Sequence, residues 1–191
     1  CTSTFTVAPC NPTCETAFGK AASGSICFLT DPTVPNNRWG WTNSIPSGTT
    51  TLTLYAGASG CNVSNDKIAG TVTIVYAWPN VTLTYNTTNG YTMSEAHLYV
   101  GSAKYPKKGN TVTVAPGQYP YSAGSLNNAT TYTFNITLKG TQPSTMYVIA
   151  HAVTCKPQST TSLAALTKGA EIDPGIKSSA LKAYPNPFSD Q

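Results

Sequence analysis

Polar and apolar residues alternate with period two through most of the middle of the chain, the signature of strands that turn one face to a core and the other to water. Thr51, Thr53 and Tyr55 alternate with Leu52 and Leu54, Thr71, Thr73 and Val75 with Val72, Ile74 and Tyr76, and residues 81–85 repeat the pattern. Further strands are predicted at 110–115 and 131–138, the latter with Tyr132, Phe134, Ile136 and Leu138 inward and Thr131, Thr133, Asn135 and Thr137 outward. Residues 146–153 are apolar at both alternating sets, which predicts a central strand covered on each side. Asn89-Gly90 reads as a hairpin turn, since both residues tolerate positive φ, and residues 77–80 are few enough to join two antiparallel neighbours. No stretch before Ser159 has convincing helical periodicity, and residues 17–22 could form at most one helical turn. About seven to nine strands with Thr and Tyr enriched predict an all-β fold, an antiparallel two-sheet β-sandwich of immunoglobulin-like or jelly-roll topology.

After Cys155 the texture changes. Residues 156–183 are rich in Ser, Thr, Lys and Ala, carry one weak helical patch at 163–166, and contain the breakers Pro157, Gly169, Pro174 and Gly175, so they read as a linker. The division expected is a disulfide-stabilised sandwich at 1–155, a linker at 156–183 and a short tail at 184–191; 191 residues suit one core with an appendage.

Charge narrows the function classes. Only 9% of residues are charged, the net charge is +4, and Arg38 is the only arginine, so nucleic acid is not an expected partner. Apolar runs stop far short of the ~20 residues a membrane helix needs, and no transmembrane segment is expected.

The six cysteines Cys1, Cys10, Cys14, Cys27, Cys61 and Cys155 are expected to form disulfides, because only Cys10 and Cys14 approach a zinc-type spacing and no second pair lies near them. Six cysteines allow fifteen pairings. The pairing expected joins Cys1 to Cys10, Cys14 to Cys155 and Cys27 to Cys61. Disulfides place the domain in an oxidising, extracellular setting. A start at Cys1 fits a mature product freed of its signal peptide, and the strand-like residues 4–7 that follow argue against a lipid-modified cysteine. Five Asn-x-Ser/Thr sequons, at Asn62, Asn80, Asn86, Asn128 and Asn135, are what a chain rich in Thr and Asn contains by chance.

Tyr184-Pro185-Asn186-Pro187-Phe188, with the three residues after it, resembles the opening of the C-terminal sorting domain of type IX secretion system cargo in Bacteroidetes. The resemblance implies a bacterial protein exported to the cell surface or medium, with the secretion machinery as partner of the tail. The body is similar to domains of large surface proteins of gliding and marine bacteria through Cys14-Glu-Thr-Ala-Phe18, Arg38-Trp-Gly-Trp-Thr42, residues 95–101, 115–121 and 150–153. That likeness implies location and no particular chemistry.

Titratable groups are scarce. Before the linker and tail the acids and histidines are Glu15, Asp31, Asp66, Glu95, His97 and His151, and no Gly-x-Ser-x-Gly elbow accompanies them. Glu15 and Glu95 are the one pair that a glycoside-cleaving enzyme could use. Glu95 and His97 share a strand face, and His151 could complete a two-His, one-carboxylate metal set. The expected reading is instead a core histidine that hydrogen-bonds Glu15 or Glu95; no metal, calcium or other cofactor is expected. Trp39 and Trp41 could stack on a sugar ring with Arg38 and Asn43 as polar guides, although a buried Trp is the usual anchor of a sandwich, so at most one indole is expected to be exposed. Tyr105, Tyr119 and Tyr121 lie among Pro, Gly and Lys and are expected to be exposed in loops at one end. The Thr-x-Thr pairs raise binding to an ordered lattice such as ice, but Thr is also an ordinary outward strand residue. The reading is a secreted or cell-surface, non-enzymatic adhesion or binding module with polysaccharide as the expected ligand; the alternatives are a structural repeat or filament subunit without small ligand, and a glycoside-active enzyme using Glu15 and Glu95.

Overall fold

The computed structural model describes residues 12–34 and 37–157. The tail, the linker beyond Pro157, Cys1 and Cys10 lie outside the described residues. Twelve strands form among them: β1 (Thr13–Lys20), β2 (Ser25–Cys27), β3 (Trp41–Ile45), β4 (Gly48–Ala56), β5 (Ile68–Ala77), β6 (Asn80–Thr87), β7 (Thr92–Gly101), β8 (Lys107–Lys108), β9 (Thr111–Val112), β10 (Tyr121–Ser122), β11 (Thr131–Thr137) and β12 (Met146–Lys156). Every pairing is antiparallel. The fold is the all-β sandwich that the alternation predicts.

One layer holds β10, β7, β12 and β1, with β3 and β2 beside the first residues of β12; the other holds β4, β5, β6 and β11. The hydrogen-bond ladder is continuous between them, because β1 pairs with β12 up to Phe18 and with β4 from Ala17 to Lys20. Gly19 sits at this corner. A β-carbon there would lie 2.9 Å from Leu52 Cδ1 on β4 and 3.3 Å from Ala150 Cβ on β12, so only a bare Cα lets the layers close.

The main core fills the space between layers with Leu52, Leu54, Val72, Ile74, Leu83, Tyr85, Phe134 and Ile136 from one side and Ala96, Leu98, Val148, Ala150 and Ala152 from the other. A second core of Phe18, Phe28, Trp41, Tyr99, Tyr105, Val114, Tyr119 and Ile149 covers the far face of the β7–β12–β1 layer. β12 is thus buried on both faces, as its unbroken apolar run predicts. The outer face of the other layer carries no charge: Thr51, Thr73, Thr84 and Thr133 stand in one row across four strands, with Thr84 and Thr133 hydroxyls 3.0 Å apart.

Three local expectations are corrected. Residues 17–20 are strand, not a helical turn; Ala17 and Gly19 supply the inner set of β1 because the corner has room only for small residues. In 110–115 only Thr111–Val112 pairs, because Pro116 follows and Val114 turns into the second core. Asn89 and Gly90 have the expected positive φ of 55° and 77°, yet they join β6 to β7, which are not partners, and carry the chain from one layer to the other.

Across the main core, the Tyr85 hydroxyl lies 3.1 Å from the carbonyl of His97 and 3.2 Å from that of His151, and its proton is shared between them. The buried Tyr76 hydroxyl has no partner among the described residues. The same chemical change should therefore act in opposite directions. Tyr85→Phe is expected to lower stability by about 1–2 kcal/mol in urea titrations, whereas Tyr76→Phe should be neutral or stabilising. Equal losses in both would refute this reading of the core.

Candidate functional site

On the second-core face, β1 presents Thr16 and Phe18, β12 presents His151 and Val153, and the segment before β3 brings Asn37, Arg38 and Trp39; with Pro116 they line an open cleft of about 330 Å³. Gly40 makes this approach possible. Its φ is +144°, and a β-carbon would come within 2.5 Å of Phe28 Cε2 and 3.0 Å of Phe18 Cε2. The rings form a chain along the cleft wall: Trp41 and Trp39 centroids are 5.8 Å apart, Trp39 and Phe18 5.3 Å, Phe18 and His151 4.8 Å. Trp41 is the buried anchor, while Trp39 stays half-exposed.

His151 and His97 stand opposite each other on β12 and β7, and their Nδ1 atoms are 3.2 Å apart. This corrects the expected bond from His151 to Glu15 or Glu95. Two Nδ1 atoms at this distance require one protonated and one bare nitrogen. Burial, together with the charges of His97 and Arg38, pushes the His151 pKa down to about 3; burial lowers that of His97, against the pull of Glu95. Both imidazoles are neutral near pH 7. The Glu95 carboxylate lies 4.0 Å from Nε2 of His97, away from the Nδ1 pair, so the three groups do not converge on one point. Among the described residues no three His, Cys, Asp or Glu side chains gather as a metal site would need.

Register separates the two glutamates. Glu15 stands opposite Thr154, on the set of β1 that includes Ala17, whereas Glu95 stands opposite Val153, on the set that includes His97 and His151. They point to opposite faces of the layer and cannot flank one bond.

No protein-family model matches this chain, and comparisons with curated proteins and with solved structures found no match.

Of the residues expected to bind, Arg38 and Trp39 line the cleft. Trp41 lies beneath it, Asn43 is buried with its amide donating to the Gly19 and Val148 carbonyls and is no guide for a ligand, and the expected exposed tyrosine cluster does not exist. Tyr105 is buried and donates to Asp31 Oδ2 at 3.1 Å; Tyr119 is buried and donates to the Val114 carbonyl at 3.0 Å. Tyr121 is half-buried against the main core, on the other side of the layer. The phenols are covered because the loop at 102–120 folds back over β7 and β12 as the lid of the second core. Asp31 also accepts from Thr33 and Lys104, and these bonds hold its carboxyl far below the ordinary range. Neither Thr16 nor Phe18 stood out in the sequence, because no alternating set was assigned around the weak stretch at 17–22; period-two alternation from Thr16 puts both on one face.

Two expected disulfides are present. Cys14–Cys155 joins directly opposed residues of β1 and β12, and Cys27–Cys61 ties the end of β2 to the loop after β4. Both suit an oxidising compartment. No helix among the described residues is long and apolar enough to cross a membrane.

A histidine whose folded pKa lies below its unfolded value of about 6.5 stabilises the fold above that pH, and the contribution is lost as pH falls. Unfolding free energy should drop between pH 6.5 and 4.5, by up to about 1.4 kcal/mol per pH unit for His151, with His97 adding to it. Asp31 acts separately, its contribution fading only below about pH 4. Urea midpoints that stay flat from pH 7 to 4.5 would show that the pair is not held neutral. The Cys27–Cys61 link should tighten the segment at 28–40 that ends in Arg38 and Trp39. Cys27→Ser with Cys61→Ser is expected to cost about 2–4 kcal/mol in chemical denaturation while leaving the far-ultraviolet circular dichroism of the sheets in place.

Proposed function

We propose that the domain is a secreted or cell-surface binding module without catalytic activity, and that it holds a polysaccharide in the cleft at Trp39. The observation that carries this reading is the juxtaposition, in one open cleft, of a half-exposed indole, backed by the buried Phe18 ring, with a guanidinium, an amide, a hydroxyl and an imidazole. A sugar ring offers an apolar face to the indole and hydroxyls to the polar groups. Placement of Glu15 and Glu95 on opposite faces favours binding over glycoside cleavage, which needs two carboxyls facing one bond. The low charge of the chain suits contacts made by hydroxyls and aromatics. Export would run through the tail at 184–191, which resembles a sorting signal.

The test is a glycan array probed with the wild-type chain and with Trp39→Ala. Wild type is expected to retain one class of glycan, and loss of the indole to weaken retention about tenfold or more. Retention of no glycan, combined with self-association in analytical ultracentrifugation, would replace this reading with that of a structural subunit.

A further inference from the structure

Two features of the cleft narrow the class of sugar, on the basis of the polysaccharide reading above. The first is charge. Arg38, the chain's only arginine, is exposed, lines the cleft and forms no ion pair among the described residues. No Asp or Glu stands in the lining. Of the nearby carboxylates, Asp31 is held by Thr33, Lys104 and Tyr105, and Glu95 stands on β7, 4.0 Å from Nε2 of His97. An uncommitted guanidinium presents a planar fork of N–H donors that fits a carboxylate through two parallel hydrogen bonds.

The second is the direction of the histidine pair. The negative charge of Glu95 beside Nε2 of His97 favours a proton on that nitrogen. Nδ1 of His97 is then the acceptor, and Nδ1 of His151 the donor, of the 3.2 Å bond. His151 Nε2 is left with its lone pair and without a hydrogen-bond partner among the described residues, on a ring that lines the cleft. A ligand therefore meets a cation, a bare acceptor and an aromatic wall together. A sugar ring that carries a carboxylate, a hydroxyl donor and an apolar C–H face answers all three.

We propose that the cleft takes a uronic acid residue of an acidic polysaccharide, with the carboxylate on Arg38, a ring hydroxyl donating to His151 Nε2, and the apolar ring face against Trp39. Neutral glycans lack the group that Arg38 selects. Sulfate esters also offer two oxygens to the fork, and titration separates the two anions.

The experiment is calorimetric titration of the full chain with four uronate oligomers (galacturonate, glucuronate, mannuronate, guluronate), their methyl esters, the matching neutral oligosaccharides and a sulfated galactan. At least one uronate should bind, its methyl ester and neutral counterpart should be weaker by about tenfold or more, and Arg38→Gln should erase that difference. Arg38→Lys, which keeps the charge and loses the fork, should fall between the two. Affinity for the uronate should also decline with added salt. Equal binding of acidic and neutral oligomers, or binding of the sulfated galactan alone, would overturn the uronate assignment and leave the polysaccharide reading standing. Failure of every glycan, on the array and in solution, would remove both.

Discussion

The phenol of Tyr85 crosses the main core from β6 to the backbone carbonyls of His97 and His151, and on the opposite face of the same layer the imidazoles of those two residues meet at 3.2 Å. One row of the β7–β12 ladder is therefore gripped from both sides. A slip of one residue would turn the imidazoles into the space now filled by Leu98 and Ala152 and would strand the Tyr85 hydroxyl among apolar groups. Register at this row decides which side chains line the cleft. The continuous ladder through β1 passes that constraint to the other layer, because Phe18 stands opposite both His151 on β12 and Tyr55 on β4.

A chain with so few charges can leave one of them unopposed. Asp31 is consumed inside the fold by three neighbours that tie the segment after β2 to the loop after β7. Glu95 is turned toward His97, and the histidines are kept neutral by burial. What remains at the cleft is the positive charge of the exposed Arg38 beside the half-exposed indole of Trp39. Cys27–Cys61 fastens the loops at this rim, and Cys14–Cys155 fastens the far end of β12 to β1.

Much of the scaffold was legible because burial and strand geometry share a period of two. The sets at 51–55, 71–76, 81–85 and 131–138 each fall on the faces that alternation assigns, and the apolar run at 146–153 is covered twice. The pattern failed where side-chain size, not polarity, was selected. Ala17 and Gly19 look helical or featureless, yet they are small because two layers converge on them. The tyrosines failed for another reason. Proline and glycine around Tyr105 and Tyr119 mark a loop correctly, but a loop can fold back as a lid, and these phenols satisfy themselves on Asp31 and Val114 beneath it.

What the sequence determined by itself is the class of fold, the scarcity of ionisable groups, the cysteines at 14, 27, 61 and 155, and the presence near one another of Arg38 and Trp39, since all of these follow from local composition and period. Only the tertiary structure decided that His97 faces His151, that Glu15 and Glu95 part to opposite faces, and that Trp39 remains half-exposed while Trp41 does not. Those outcomes depend on which strands pair and in which register. That is a property of contacts between residues such as 97 and 151, far apart along the chain, and no local pattern encodes it.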